Sequence, residues 1–273
     1  RSTLFPYTTL FRSPAGVVMK KLLLVNDDGI KADGMRALVE ALRGKAEMYI
    51  FAPDSQKSAT SHSITIGGKL TYSEVSYDGV EKAFSIDGTP GDCVKMGLKV
   101  LERRGIIADL VFSGINMGAN LGTDTLYSGT VSAAMEGALS RKPAVAVSVN
   151  SHRPENYEAA QKLALDILKK SDDIMPGEVI NINAPDLPLS DIKGVICSPL
   201  GMREYQEWLI PEYDEKGREV FAYKGKAVWY PEKDPNVSDV IAMQEQYCTI
   251  TPLHFNFTNY ARLNKFKEHK FEL

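Results

Sequence analysis

Residues 22–25 (LLLV) form an apolar run that stops at a polar, glycine-punctuated turn, NDDGIKADG, followed by a helical stretch over 35–42 and a second apolar run over 48–52. Short apolar runs of this kind read as buried strands, and the segment between them, apolar at helical period, as a crossover helix. The unit is therefore βαβ. Its two strands must run parallel with a right-handed crossover, so both end at the same edge of a sheet, where their loops can share one ligand.

The rhythm continues along the chain. Alternating residues over 64–75 and 82–86 predict antiparallel strands or a hairpin. Helices are expected over 92–103, 130–139 and 155–170, and strands over 110–112, 144–149 and 179–182. The result is an α/β domain, doubly wound with a mainly parallel sheet, over residues 19–196. Beyond residue 196 the sequence turns aromatic and rich in turn residues, which predicts a β-hairpin arm and, over 259–273, a terminal helix. Such an arm, within a 197–273 segment, packs on another subunit or folds as a flap over the site. Residues 1–18 lack an initiating Met and a signal-peptide apolar stretch, so they are expected to be a non-native or disordered leader before Met19.

Composition narrows the partners. A net charge of −3 over 273 residues, with basic side chains scattered, gives no footprint for a nucleic acid duplex and points to a small ligand. No apolar run approaches the roughly 20 residues needed to cross a bilayer. Cys93, Cys197 and Cys248 are an odd, widely spaced set, which fits a reducing, cytoplasmic setting.

Chemistry concentrates in three loops that follow strands. In NDDG (26–29) two adjacent carboxylates, Asp27 and Asp28, lose solvation and repel each other after a buried strand. A hard dication such as Mg²⁺ or Mn²⁺ offsets that cost through oxygen ligands; capping of the next helix by one Asp is an equal alternative on this motif alone. The second loop, 52–65, is dense in hydroxyls with Lys57 and His62, suited to phosphate oxygens yet also to plain solvation. In the third, glycines precede Ser128, Gly129 and Thr130 at a helix start, where free N–H groups make an anion cradle or an ordinary cap. Asn116, at the preceding strand end, is a neutral oxygen donor for a metal. In GTPGDC (88–93), Asp92 reads as a helix cap and Cys93 as a buried apolar residue.

Together these motifs resemble the survival protein SurE family of nucleotidases. The resemblance rests on NDDG (26–29), APD (52–54) with Ser58-Ala59, HSIT (62–65), GTP (88–90), SGIN (113–116), YSGTVS (127–132) and TPL (251–253), in the family's order and spacing. It implies a Rossmann-like core and a phosphatase acting on nucleoside 5′- and 3′-monophosphates, sometimes on short polyphosphate. It also implies one divalent metal ion held by Asp27, Asp28, Ser58 and Asn116, with phosphate near Asn26, Ser128, Gly129 and Thr130, and a homodimer or homotetramer that exchanges its arm and C-terminal segment. Ser61, Gly91 and Asn256 depart from the usual family residues Gly, Ala and Asp, and 202–239 matches poorly.

The expected mechanism is attack by a metal-activated water, with Asp27 and Asp28 supplying the charge that holds the metal. A covalent aspartyl-phosphate route through Asp27 is weaker, because that class spaces its acids as DxD. A nucleotide-binding module without chemistry is the rival from another class.

Overall fold

The structure, a computed structural model, describes residues 19–57, 60–206 and 209–271. The leader expected over 1–18 lies outside them. The chain opens with β1 (Lys21–Val25), α1 (Asp33–Leu42) and β2 (Glu47–Pro53), the unit read from the sequence. In α1, Met35, Leu38, Val39 and Leu42 recur three and four apart and are buried, while Arg36 and Glu40 face solvent, as one apolar stripe on a helix requires.

Next come β3 (Tyr72–Val75), β4 (Lys82–Ile86), α2 (Pro90–Arg103), β5 (Leu110–Met117), α3 (Gly129–Leu139), β6 (Ala144–Val149), α4 (Glu158–Lys169) and β7 (Val179–Ala184). After β8 (Gly194–Cys197) the arm is built of β9 (Tyr205–Gln206), β10 (Leu209–Tyr213), β11 (Glu219–Tyr223) and β12 (Lys226–Ala227). The chain then returns through α5 (Asp239–Gln244) and β13 (Tyr247–Leu253) and ends in α6 (Tyr260–Phe266).

Nine strands make one sheet in the order β3-β4-β2-β1-β5-β6-β7-β13-β8. All its pairings are parallel except β3 with β4 and β13 with β7. The fold is thus α/β and Rossmann-like. Alternate residues of β1 explain its two layers: Leu22 and Leu24 pack with α1 and α4 on one face, Leu23 and Val25 with α2 and α3 on the other. From β1 the chain winds first outward to β2 and later, through α2, to β5 on the other side. The order reverses between β1 and β5, and a doubly wound sheet opens its ligand crevice there.

Three expectations change. The alternating segment 64–75 forms a strand only over its last four residues; Gly67 and Gly68 interrupt it, and the residues before Tyr72 are mostly exposed, so no buried face rewards pairing. The sheet also continues past residue 196, because β13 returns between β7 and β8 and buries Cys248, Thr249 and Thr251. The arm is a hairpin of β10 and β11, with β9 and β12 paired at its base. The terminal helix is shorter than expected. No helix among the described residues is long and apolar enough to cross a membrane.

Candidate metal and phosphate site

Asp27 and Asp28 follow β1 directly, at the reversal point of the sheet. Asp27 is only 4% exposed. Its Oδ1 accepts a hydrogen bond from Thr130 Oγ1 at 2.5 Å, and the Thr130 N–H also faces the carboxylate. Asp28 Oδ2 accepts from the Met117 N–H at 3.1 Å, and its Oδ1 from Gln56 Nε2 at 3.3 Å. The pair thus joins the end of β5 to the start of α3. Gly129 makes this approach feasible: a Cβ there would stand 2.7 Å from Asp27 Oδ2. Gly34 serves the same purpose for α1, since its Cβ would lie 1.8 Å from the Ile115 carbonyl oxygen.

Burial pushes the Asp27 carboxyl up to about 6; the Asp28 charge adds to the rise and the Thr130 hydrogen bond opposes it. Burial also raises Asp28, against the Met117 N–H, the Gln56 side chain and the nearby His152. Among the described residues neither carboxylate has an ion pair, and no group of three or more His, Cys, Asp or Glu side chains gathers to hold a metal. Two adjacent, desolvated negative charges without an opposing cation are a costly arrangement. It suits a hard dication with few protein ligands, oxygen donors and room for substrate oxygens.

The other residues singled out by sequence gather nearby. Asn116 Nδ2 donates to the Gly118 carbonyl at 2.7 Å, which fixes the orientation of its amide. Asn26 is fully buried; its Nδ2 donates to the Gly29 carbonyl at 2.8 Å, and its Oδ1 has no hydrogen-bond partner. Ser58 lies outside the described residues, but Lys57 donates its N–H to the Asp27 carbonyl at 2.7 Å, which brings the hydroxyl-rich loop to the pair. Ser128 caps α3, its Oγ accepting from the Val131 N–H at 3.0 Å. Of the expected anion cradle, then, the Ser128 hydroxyl is engaged by the helix and the Thr130 donors by Asp27.

The loop is fastened at its far end. The Ser61 N–H donates to the Tyr127 carbonyl at 3.3 Å and Ser61 Oγ to the Leu126 carbonyl at 2.8 Å. Ser61, where the resembled family usually has Gly, adopts φ +52°, a conformation that glycine takes without strain. His62 Nε2 sits 3.0 Å from Glu136 Oε2 on α3, and Lys95 Nζ of α2 is 2.8 Å from Glu136 Oε1. Asp92 completes a capping box with Thr89 and also accepts from the N–H and hydroxyl of Thr65, while Cys93 is buried, as both were read.

Sequence reasoning missed what supports the glycine-rich loop. The Asn120 N–H donates to Asn183 Oδ1 at 2.7 Å, and its carbonyl accepts from the side chains of Asn181 and Asn183. Buried Asp239 accepts from the Gly122 and Gly201 N–H groups, both at 2.8 Å, tying this loop to the base of the arm. Partners so distant in sequence leave no local pattern.

The family model described as "Survival protein SurE" matches residues 22–207. A protein of Geobacter metallireducens named 5′-nucleotidase SurE is 38% identical over 250 residues, covering 90% of this chain and 96% of its own. One of the same name from Carboxydothermus hydrogenoformans is 40% identical over 254 residues, covering 90% and 95%. The crystal structure of the Sure protein from Aquifex aeolicus is similar with a TM-score of 0.78 at 35% identity, over 90% of this chain and 98% of that one.

Proposed function

The chain belongs to the survival protein SurE family, and from that premise we propose that it is a nucleotidase. It hydrolyses nucleoside 5′- and 3′-monophosphates, and short polyphosphate, with one divalent metal ion, Mg²⁺ or Mn²⁺. The observation that carries this reading is the adjacent Asp27–Asp28 pair, half-buried at Asp28 and buried at Asp27, where it abuts the N-terminus of α3, with no ion pair to either carboxylate among the described residues.

Asp27, Asp28, Asn116 and Ser58 would hold the ion, the carboxylates by charge and the amide and hydroxyl as neutral oxygens. When bound, such an ion neutralises charge developing on the phosphoryl oxygens and makes a coordinated water acidic. The chain's own residues do the positioning. Thr130 fixes the Asp27 carboxylate through its hydroxyl, so this ligand is oriented before substrate arrives. The Met117 N–H does the same for Asp28. The first turn of α3, residues 129–131, offers the positive end of a helix dipole to the phosphate, beside the ion.

We further propose that the protein acts in the cytoplasm as a homodimer or homotetramer. Phe221 on the arm and Phe257 and Phe271 near the C-terminus are exposed aromatics of the kind that subunit contacts cover.

The test is a phosphate-release screen over nucleoside monophosphates and divalent metals, with Asp27→Asn and Asp28→Asn beside the parent chain. Metal-dependent release that both substitutions abolish is expected. Nucleotide binding without release under any metal would favour the binding-module reading, and turnover near the parent's in both variants would overturn the assignment.

A further inference from the structure

Tyr127 sits between two tightly held segments. A 3₁₀ helix (Gly122–Leu126) ends at it, and the cap of α3 follows at Ser128. Its N–H donates to the Asp124 carbonyl at 3.0 Å and its carbonyl accepts from the Ser61 N–H at 3.3 Å, so the backbone is pinned from both sides. Between the buried Thr125 and Ser128, 7% and 8% exposed, Leu126 and Tyr127 stand 52% and 67% exposed, and of the two only Tyr127 carries a ring. Its side chain has no hydrogen-bond, ion-pair or ring partner among the described residues. A large aromatic surface thus stands in water on a pinned backbone.

Its place gives that surface a use. Gly129, two residues on, abuts Asp27, and two residues of chain span at most about 7 Å. The Tyr127 Cα is therefore within about 7 Å of the Gly129 Cα beside Asp27, and its exposed side chain stands at the solvent edge of the α3 N-terminus. A phosphate at Asp27 and Asp28 leaves the rest of its substrate, a sugar and a flat heterocycle, to extend outward past this ring. Aromatic side chains stack on any nucleobase, because every base presents a π face.

We infer that Tyr127 is a substrate-positioning residue whose ring stacks on the nucleobase of the bound monophosphate and favours nucleotides over sugar phosphates. The inference rests on the nucleotidase reading and adds the contact by which the chain tells a nucleotide from another phosphomonoester. Stacking of this kind tolerates purines and pyrimidines alike, so the preference is for a base rather than for one base.

The test compares AMP with ribose 5-phosphate, which keeps the sugar and phosphate and lacks the base, on the full chain with Mn²⁺. Dissociation constants are measured beside KM and kcat for the parent, Tyr127→Ala and Tyr127→Trp. Tyr127→Ala is expected to raise the AMP KM and dissociation constant about tenfold, with ribose 5-phosphate and kcat near the parent's. Tyr127→Trp, which keeps a stacking surface, is expected to retain AMP. Equal weakening of both ligands would assign Tyr127 a structural or subunit-contact role and overturn the inference, as would unchanged AMP binding in Tyr127→Ala. If the parent releases phosphate from neither compound, the nucleotidase reading fails, and the ratio of the two dissociation constants still decides the role of Tyr127.

Discussion

Asp27 and Asp92 are equally hidden carboxylates, 4% and 2% exposed, at the start of two different loops or helices, and their environments treat the charge in opposite ways. Asp92 accepts from the Thr65 N–H at 2.9 Å, the Thr65 hydroxyl at 2.7 Å and the Thr89 N–H at 3.0 Å. Burial alone would raise its pKa, but these donors together hold it below the usual carboxylate range. Asp27 has the Thr130 hydroxyl and N–H to set against burial and a neighbouring negative charge, and its pKa climbs to about 6. The contrast separates an acid that serves the fold from one left electrostatically incomplete. A strongly raised carboxylate at the reversal point of the sheet marks a candidate functional site.

Substitution should split the two acids cleanly. Asp27→Asn or Asp28→Asn is expected to lower metal-dependent phosphate release at least about 100-fold, as loss of an ion's charge stabilisation implies. The apo protein's melting temperature should not fall, because a desolvated charge is removed. Asp92→Ala should do the reverse: a loss of about 3 kcal/mol of stability from a buried, charge-accepting network, with activity per folded molecule retained. A destabilised Asp27→Asn would blur the distinction. Chemical denaturation and steady-state kinetics on the same samples check both halves.

The pH dependence sharpens the same comparison. The folded pKa of Asp27 lies above its ordinary value of 3.8. Between about 6 and 3.8 the folded apo chain therefore holds a proton that the unfolded chain has lost, and this group's effect on stability improves as pH falls through that window. At neutral pH its ionisation costs the apo fold about 3 kcal/mol. Asp92 has the opposite sign: its contribution is present above the ordinary carboxylate range and is lost as pH falls through its lowered value. Since Mn²⁺ competes with the proton on Asp27, the rise in melting temperature caused by Mn²⁺ should grow as pH increases through about 6. A metal-induced shift that is flat across this range would detach the metal from Asp27.

Smaller effects probe the frames of the two acids. Gly129→Ala places a methyl 2.7 Å from Asp27 Oδ2, and is expected to destabilise by about 1–3 kcal/mol and to weaken Mn²⁺ binding along with it. Thr89→Ala removes the α2 cap and the hydroxyl's bond to the Ser63 carbonyl at 2.7 Å, about 1–2 kcal/mol, and should leave Mn²⁺ affinity unchanged.

Much of this was legible in the sequence for identifiable reasons. The LLLV run and the amphipathic spacing of 35–42 are local signals, and parallel connectivity alone brings the loops after β1 and β5 to one edge. That placed Asp27, Asp28, Asn116 and the SGT turn together without any distance information. Strand β13 escaped because its sequence, YCTITPL, mixes polar and apolar residues and ends near a proline, and only its partners β7 and β8, far away in the chain, make it a strand. The opposite error arose at 64–71, where alternation exists without a buried face. In the site, the unequal treatment of Asp27 and Asp92 was also hidden, since both read as plausible caps. What distinguishes them is the deeper desolvation of Asp27 and the Asp28 charge beside it, set against donors that arrive from elsewhere: Thr65 comes to Asp92 from 27 residues away, and Thr130 to Asp27 from 103.

The central claim is that the Asp27–Asp28 pair is tolerated because a divalent cation resides on it. The most direct measurement is anomalous diffraction from crystals of the protein soaked in Mn²⁺ at neutral pH. The expected result is one strong peak within ligand distance of both carboxylates and of Asn116, absent from crystals of Asp27→Asn. Well-ordered carboxylates with no peak beside them, still held by Thr130, Met117 and Gln56, would contradict it.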